Sequence, residues 1–309
     1  MKKTIIKISI SVILFGIVLF NIDKNSLITN ISKMNIAYIP LLIGFLVTNY
    51  LVSSVRWKKL LIHKDSHKVS VKYLAKLYFE GAFFNNFMPT SVGGDVYKIY
   101  KLGKKLGSTA HAFSSTFMER FTGVIALVLI SYVGLFTALG TFISLFPTDI
   151  TSNELLLTIV KVLLFAGFWV AAFAGFIGLK IISLRVNKIK KIYDALMEYR
   201  GRYAVLGWAF LTSFIVQFLA VFTQYFIFKA LGVDLPLMYS LFVFPVITLA
   251  SFFIPSLNGL GVQDTLYIQL FTLIGVNKEL ALSASILYHI FRLLVSLIGG
   301  VIYAFNKEN

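Results

Sequence analysis

The stretch FFNNFMPTSVGGDVYKIY, residues 83–100, decides how this chain can fold, because it interrupts an apolar helical pattern twice. Pro89 cannot donate the backbone hydrogen bond that a helix needs, and Gly93 and Gly94 favour an irregular backbone. An acid, Asp95, follows directly. Within a membrane, an irregular backbone is tolerated only where it is buried in protein or lines a wet cavity. The break therefore predicts a functional element.

The composition is typical of a polytopic membrane protein. Of the 309 residues, 58% are hydrophobic and 14% are charged, and the mean hydropathy is +0.84. The net charge of +16 does not predict nucleic-acid binding, because the basic residues separate apolar spans and no soluble domain is left to hold a duplex. Cysteine is absent, which excludes disulfides and thiol chemistry. The histidines form no metal-ligand pattern, so no metal or other cofactor is predicted.

Six apolar segments are long enough to cross a bilayer, which takes about 20 residues. The first has no cleavage site after it and is interpreted as an uncleaved anchor. The fold class predicted is therefore all-α, with about six full spans and two re-entrant hairpins. The spans are Lys3–Ile22, Ala37–Val55, Thr109–Phe146, Leu155–Ile182, Tyr203–Leu231 and Leu280–Phe305.

The distribution of Lys and Arg predicts the orientation, because basic loops stay in the cytoplasm. Most of the 29 basic residues lie in segments that this rule places on one side. Arg56–Lys76 and Lys98–Lys105 are both basic and flank the first break, so the broken segment should enter and leave on the cytoplasmic side. The same distribution predicts cytoplasmic N- and C-termini in the plasma membrane.

A second break resembles the first. FMPTSVG, residues 87–93, matches FIPSLNG, residues 253–259, in its Phe, Pro, hydroxyl residue and Gly. An acid follows each break, and a long span with one internal Arg comes next. Paired broken helices in inverted repeats are typical of transporters, with the substrate bound between the repeats. We predict one domain, 1–309, with repeats at about 37–146 and 203–305 and a basic cytoplasmic connector at about 183–202. The predicted hinge residues are Pro89, Gly93, Gly94, Pro255, Gly259 and Gly261.

Polar side chains within the spans are the candidate substrate ligands, because a charge at this depth needs a partner or a wet cavity. An Arg fork suits a lipid phosphate. The structural alternative is that the acids cap restarted helices or form buried ion pairs. Glu80 is expected to extend towards Lys76. The candidate substrate-binding residues are Asn85, Asn86, Asp95, Lys98, Glu119, Arg120, Asp264 and Arg292; no catalytic residue is predicted.

These motifs resemble the lysylphosphatidylglycerol synthase transmembrane, or flippase-like, family. Residues 84–95, FNNFMPTSVGGD, resemble its N-x-x-[LM]-P-x-x-x-G-G-D signature, with Lys98 where an Arg is expected. Glu119-Arg120 resembles its acid–Arg pair, and residues 255–264 resemble its second motif. In that motif, Asn258 stands for a Gly and Asp264 for a Glu.

The resemblance implies a membrane lipid transporter that moves a phospholipid between leaflets. The family includes the membrane half of the multiple peptide resistance factor, so aminoacyl-phosphatidylglycerol and polyprenyl-phosphate lipids are candidate substrates, and antimicrobial peptide resistance is a candidate role. The chain stops at Asn309, so a fused aminoacyl-transferase domain is not expected. A separate synthase is a candidate partner, and homo-oligomerisation stays open. The alternative is a lipid-modifying enzyme, such as a phosphatidylglycerol lysyltransferase or a polyprenyl-phosphate glycosyltransferase.

Overall fold

The computed structural model describes residues 23–87, 93–143, 180–254, 256 and 258–305, with isolated positions between 158 and 178. All regular elements in these residues are helical, including two short 3₁₀ turns at Ile36–Tyr38 and Lys64–Lys68. The α-helices are α1 (Lys24–Ser32), α2 (Ile39–Leu60), α3 (Val71–Phe87), α4 (Gly93–Leu106), α5 (Thr109–Ile143), α6 (Asn187–Met197), α7 (Tyr203–Ala230), α8 (Leu237–Phe253), α9 (Val262–Thr272) and α10 (Lys278–Ala304).

Four helices of the described part are long and apolar enough to cross a membrane, and they match four of the six predicted spans. The predicted span Lys3–Ile22 and most of Leu155–Ile182 lie outside the described residues. Helix α8 is apolar but shorter than a full span. The protein is therefore an all-helical membrane protein with several spans. The four long helices are Ile36–Leu60, Thr109–Thr137, Tyr203–Ala230 and Lys278–Ala304.

Local sequence signals fix several helix ends. Asp23 accepts a hydrogen bond from the backbone N–H of Asn25 at 3.0 Å and caps α1. Asn277 does the same for α10, accepting from the backbone N–H of Glu279 at 2.8 Å. Helix α2 has a Pro in its first turn, where the missing N–H costs no internal hydrogen bond. These caps set the points at which α1, α2 and α10 begin.

The structure contains two helix pairs, α3 with α4 and α8 with α9. In each pair, the first helix packs against a long helix from the other half of the chain. Helix α3 lies against α10, and α8 lies against α5, while α2 and α7 pack on each other. Both crossings use a glycine on the longer helix. A Cβ on Gly299 would lie 1.9 Å from the carbonyl oxygen of Phe79, and one on Gly134 would lie 2.5 Å from the backbone nitrogen of Phe242. Only glycine permits this backbone approach.

The main apolar core joins α2, α7, α8, α9 and α10. Its centre is an aromatic cluster with ring centroids 4.5–6.1 Å apart, formed by Phe228, Phe244, Tyr267 and Phe271. A second cluster around Trp57 supports the base of α3 and α4. The two clusters together contain residues from both helix pairs and pack them against the long helices.

Candidate functional site

Helices α3 and α4 form a tight hairpin whose turn, including Pro89, lies outside the described residues. The backbone N–H of Gly94 donates to Asn85 Oδ1 at 2.6 Å, so Asn85 satisfies the first turn of α4. A Cβ on Gly94 would lie 2.1 Å from the carbonyl oxygen of Gly81. Gly94 is therefore needed for close helix contact, and Gly93 starts the same buried helix turn.

Charged side chains of α2, α4 and α5 form a continuous network in which all members are buried except Arg120, whose side chain is 42% exposed. Arg120 binds Asp95 through two bonds, Nε to Oδ2 at 2.8 Å and Nη2 to Oδ1 at 3.0 Å. Lys98 Nζ lies 3.0 Å from Asp95 Oδ1 and 3.4 Å from Glu119 Oε2. Arg56 Nη2 donates to Glu119 Oε1. The adjacent Glu119 and Arg120 thus take different partners, as expected for neighbours about 100° apart on a helix.

The sequence-based placement of Arg56 in a cytoplasmic basic loop is wrong. It belongs to α2, is 3% exposed, and also donates from Nη1 to Ser213 Oγ of α7 at 2.8 Å. No local signal distinguished Arg56 from the basic residues that follow it, because its partner Glu119 is 63 positions away. The expectation for Glu80 is also wrong: its side chain is buried and accepts a hydrogen bond from the Tyr97 hydroxyl at 2.8 Å.

The conformation of the loop between α8 and α9 depends on left-handed backbone angles and on hydrogen bonds, and not on a network of charged side chains like that around Asp95. Asn258 has a φ of 49°, and Gly261 has a φ of 82°, so the chain turns through the left-handed region before α9 begins. Asp264 Oδ2 accepts from the Gly261 N–H at 2.7 Å, and its Oδ1 accepts from Ser285 Oγ at 2.6 Å. His289 Nε2 lies 3.4 Å from Asp264 Oδ1. Asp264 is therefore the third residue of α9, and its carboxylate stabilises the start of the helix by accepting from the N-cap residue Gly261.

The two hairpin regions meet through a chain of three hydrogen bonds. Asn86 Nδ2 donates to Ser296 Oγ at 2.6 Å, and its Oδ1 accepts from Asn258 Nδ2 at 2.8 Å. Arg292 Nη2 donates to Asn258 Oδ1 at 2.7 Å. Asn258 stands where the family motif has a glycine and was not among the predicted site residues. The chain of bonds shows that Asn258 connects the end of α3, the loop before α9 and α10.

A cavity of about 310 Å³ lies between these groups. Seven of the eight predicted substrate-binding residues line it, whereas Asp264 is fully buried and does not. Four cationic side chains of the described residues face two carboxylates around it, so the lining carries a positive excess. Gly259 also lines the cavity, while Pro255 lies outside the described residues. The charged lining residues are Arg56, Asp95, Lys98, Glu119, Arg120 and Arg292.

Arg292 differs from the other cations of the cavity. Among the described residues it has no carboxylate partner; its bonded partner is the neutral amide of Asn258. Its guanidinium carbon lies 5.3 Å from the Tyr288 ring centroid, a cation–π distance that leaves the N–H donors available. Arg120 instead uses two of its five donors on Asp95. No group of three or more metal-ligating side chains occurs in the described residues.

Long apolar helices around a charged internal cavity define a multi-pass helical membrane protein. The comparison with known families agrees: the chain belongs to the family described as the lysylphosphatidylglycerol synthase TM region, which matches residues 4–300. The resemblance inferred from the motifs is therefore confirmed.

Curated relatives of this chain include UPF0104 membrane proteins of three archaea. The Pyrococcus horikoshii protein is 25% identical, over 100% of this chain and 98% of the relative. The Methanocaldococcus jannaschii protein is 26% identical, over 74% of this chain and 95% of the relative. The Methanothermobacter thermautotrophicus protein is 24% identical, over 84% and 82% respectively. These similarities support the membrane assignment over nearly the whole chain.

Proposed function

We propose that this protein is a lipid transporter of flippase type, which moves a lipid whose headgroup carries a phosphate between the two leaflets. The single observation that carries the proposal is Arg292, a cation on the central cavity whose partner among the described residues is a neutral amide. Arg292 is half-buried, so a guanidinium without a counter-charge there is only partly solvated, and a phosphate would supply two oxygens that match its fork. The lipid phosphate is therefore the ligand that this site favours.

The other charges of the cavity support the same substrate class. Asp95 and Glu119 are each bound by two cations, so neither is free to attract a further positive group. After these pairs form, Arg292 and one further positive charge remain. Polar amides, including Asn49 and Gln217, complete the lining and suit the neutral part of a headgroup. Phosphatidylglycerol, its aminoacyl derivative and polyprenyl-phosphate lipids all carry the required phosphate.

Transport through the cavity requires that it open to each side in turn, and the matching packing of the two hairpins supports an inverted repeat for this purpose. The proposal places Lys104, after the first hairpin, in the cytoplasm and Lys278, after the second, outside. The chain has no cysteine, so Lys104→Cys and Lys278→Cys each give one label site. An impermeant thiol reagent should label them from opposite faces of the plasma membrane. Labelling from the same face would exclude the inverted topology.

The substrate proposal is tested in proteoliposomes with a fluorescent phosphatidylglycerol and a membrane-impermeant quencher. Arg292→Gln removes a charged hydrogen-bond donor worth about 1.5–3 kcal/mol, so the apparent lipid affinity should fall about tenfold or more. Arg292→Lys should also be impaired, because an ammonium cannot bind two phosphate oxygens in a fork. Lys33→Gln, an exposed position with the same charge change, is the control. Wild-type translocation by Arg292→Gln would reject the phosphate role.

A lipid-modifying enzyme is the second candidate, favoured by the word synthase in the family description. The same proteoliposomes distinguish the transporter from the enzyme. Mass spectrometry of lipids extracted after incubation with aminoacyl-tRNA or nucleotide-sugar donors would show a new lipid species if the protein modifies its substrate. Translocation with an unchanged lipid mass supports the transporter. A new lipid mass without translocation supports the enzyme.

A further inference from the structure

A second pocket lies apart from the central cavity, where four segments meet. These are the end of α2, the 3₁₀ turn Lys64–Lys68, the start of α5 and the bend between α6 and α7. None of its lining residues belongs to the central cavity. Its polar lining consists of Lys59, His63, Lys64, Ser66, Glu198 and Arg202, with His111 beside Glu198.

Three cations of this pocket have no ion-pair partner among the described residues: Lys59, Lys64 and Arg202. Neighbouring lysines behave differently. Lys58 Nζ donates to the carbonyl oxygen of Ser66, and Lys68 Nζ lies 2.7 Å from Asp65 Oδ1. The hydrogen bond from Lys68 is the main cause that lowers the pKa of Asp65, so this carboxylate stays ionised and paired with Lys68, while its Oδ2 lies 3.9 Å from His63 Nδ1 at the pocket edge. Positive charge therefore remains unbalanced in the pocket.

The two histidines add donors to the same pocket. Their rings meet edge to face with centroids 4.7 Å apart. His63 Nδ1 accepts from the Asp65 backbone N–H at 3.1 Å, so the neutral ring carries its hydrogen on Nε2. His111 Nε2 lies 3.6 Å from Glu198 Oε1, the one carboxylate among the described lining residues. Whether His111 is neutral or protonated, the pocket keeps a positive excess of at least two charges.

We propose that this pocket binds a phosphate-bearing anion. Arg202 supplies a planar fork, Lys59 and Lys64 supply mobile ammonium groups, and His63 supplies an N–H donor, a set that matches the oxygens of a phosphate. The basic residues place the pocket at the cytoplasmic edge of the membrane. The phosphate therefore comes either from an anionic phospholipid of the inner leaflet or from a soluble phosphate compound.

Binding here has a structural consequence. Lys59 and His111 belong to the α2 and α5 helices of the first half, whereas Glu198 and Arg202 belong to the connector bend before α7. An anion held between them links the two halves of the chain outside the transport cavity. Because a ligand that binds the folded state stabilises it, the melting temperature should rise with ligand concentration.

The test uses the full chain in detergent after removal of endogenous lipid. Phosphatidylglycerol is added back and its retention measured by native mass spectrometry. In parallel, melting temperatures are measured with inorganic pyrophosphate at constant ionic strength. The pocket variant is Lys59→Gln/Lys64→Gln/Arg202→Gln. The matched control, Lys72→Gln/Lys76→Gln/Lys104→Gln, removes the same charge from cations that do not line the pocket.

We expect the pocket variant to bind its anion at least about tenfold more weakly, a change of 1.4 kcal/mol, and the control to stay within about twofold of wild type. Retention of phosphatidylglycerol identifies a lipid headgroup, and a pyrophosphate-dependent rise in melting temperature identifies a soluble anion. Equal losses in both triple variants, or no binding to the wild-type chain, would overturn the proposal. Arg202→Gln alone, at an exposed position, gives the same test if the triple variant does not fold.

Discussion

The two hairpin regions carry similar sequence motifs but use their charged residues differently. In the first, Asp95 pairs with Arg120 and Lys98, and the network continues through Glu119 to Arg56. In the second, the acid caps the α9 backbone and contacts Ser285 and His289, while Arg292 binds Asn258. Equivalent positions in a motif therefore do not guarantee equivalent partners, and only the second region leaves an Arg without a carboxylate among the described residues.

Because the two regions pair their charges differently, their residues are suited to different roles in the cavity. The first region is electrostatically satisfied, so its charges are suited to holding α2, α4 and α5 together. The second region is held by neutral amides and backbone bonds, which cost less to rearrange than buried ion pairs. We therefore propose that Arg292 contacts the substrate and that Asp95, Glu119 and Arg56 support the fold. Three stability predictions separate these roles.

The largest effect is expected at Glu119. Glu119→Gln leaves Arg56 buried without its counter-charge, and loss of one partner of a buried pair costs about 3–5 kcal/mol. The melting temperature in detergent should fall strongly. The double variant Arg56→Gln/Glu119→Gln should recover part of the loss, because it removes the unpaired charge as well. An unchanged melting temperature in Glu119→Gln would show that the network does not support the fold.

An intermediate effect is expected at Asp264. Asn has one acceptor oxygen in place of two, so Asp264→Asn cannot accept from both the Gly261 N–H and Ser285 Oγ. A buried donor left without a partner costs about 1–3 kcal/mol. Ser285→Ala in the same background should reduce this penalty, since it removes one of the competing donors. If Asp264→Asn destabilises as much as Glu119→Gln, the second acid is an ion-pair partner like the first, and the comparison fails.

The smallest effect on stability is expected at Arg292. Arg292→Gln removes one hydrogen bond to Asn258 but no ion pair with a described residue, and the side chain is only half-buried, so the free energy of unfolding should change by about 1.5 kcal/mol, the low end of the range for a bond to a charged group. Its melting temperature should stay near that of wild type while lipid translocation falls. A loss of stability equal to that of Glu119→Gln would make Arg292 a structural residue and would remove the observation on which the transport proposal stands.

Much of this architecture could be predicted from the chain. The length of the apolar segments predicts the long helices, and the four described spans lie where the hydropathy of the sequence predicts them. The Gly and acid positions of each break also give the starts of α4 and α9, because glycine conformations and capping are local properties. The polar residues selected from the spans, the first break and the family motif include seven lining residues of the cavity, since a buried polar group needs a partner wherever it lies.

The partners themselves were decided only by the tertiary structure. Arg56 looked like the start of a basic loop, but α2 continues past it and Glu119, 63 residues later, approaches it from α5. Asn258 looked like a substitute for glycine, but its amide joins Asn86, 172 positions away, to Arg292. Sequence patterns indicate which residues are neighbours within a few positions along one helix. Ion pairs depend instead on which faces of distant helices pack together. For that reason the sequence determined where the helices break, and the packing decided which charges stay available for a ligand.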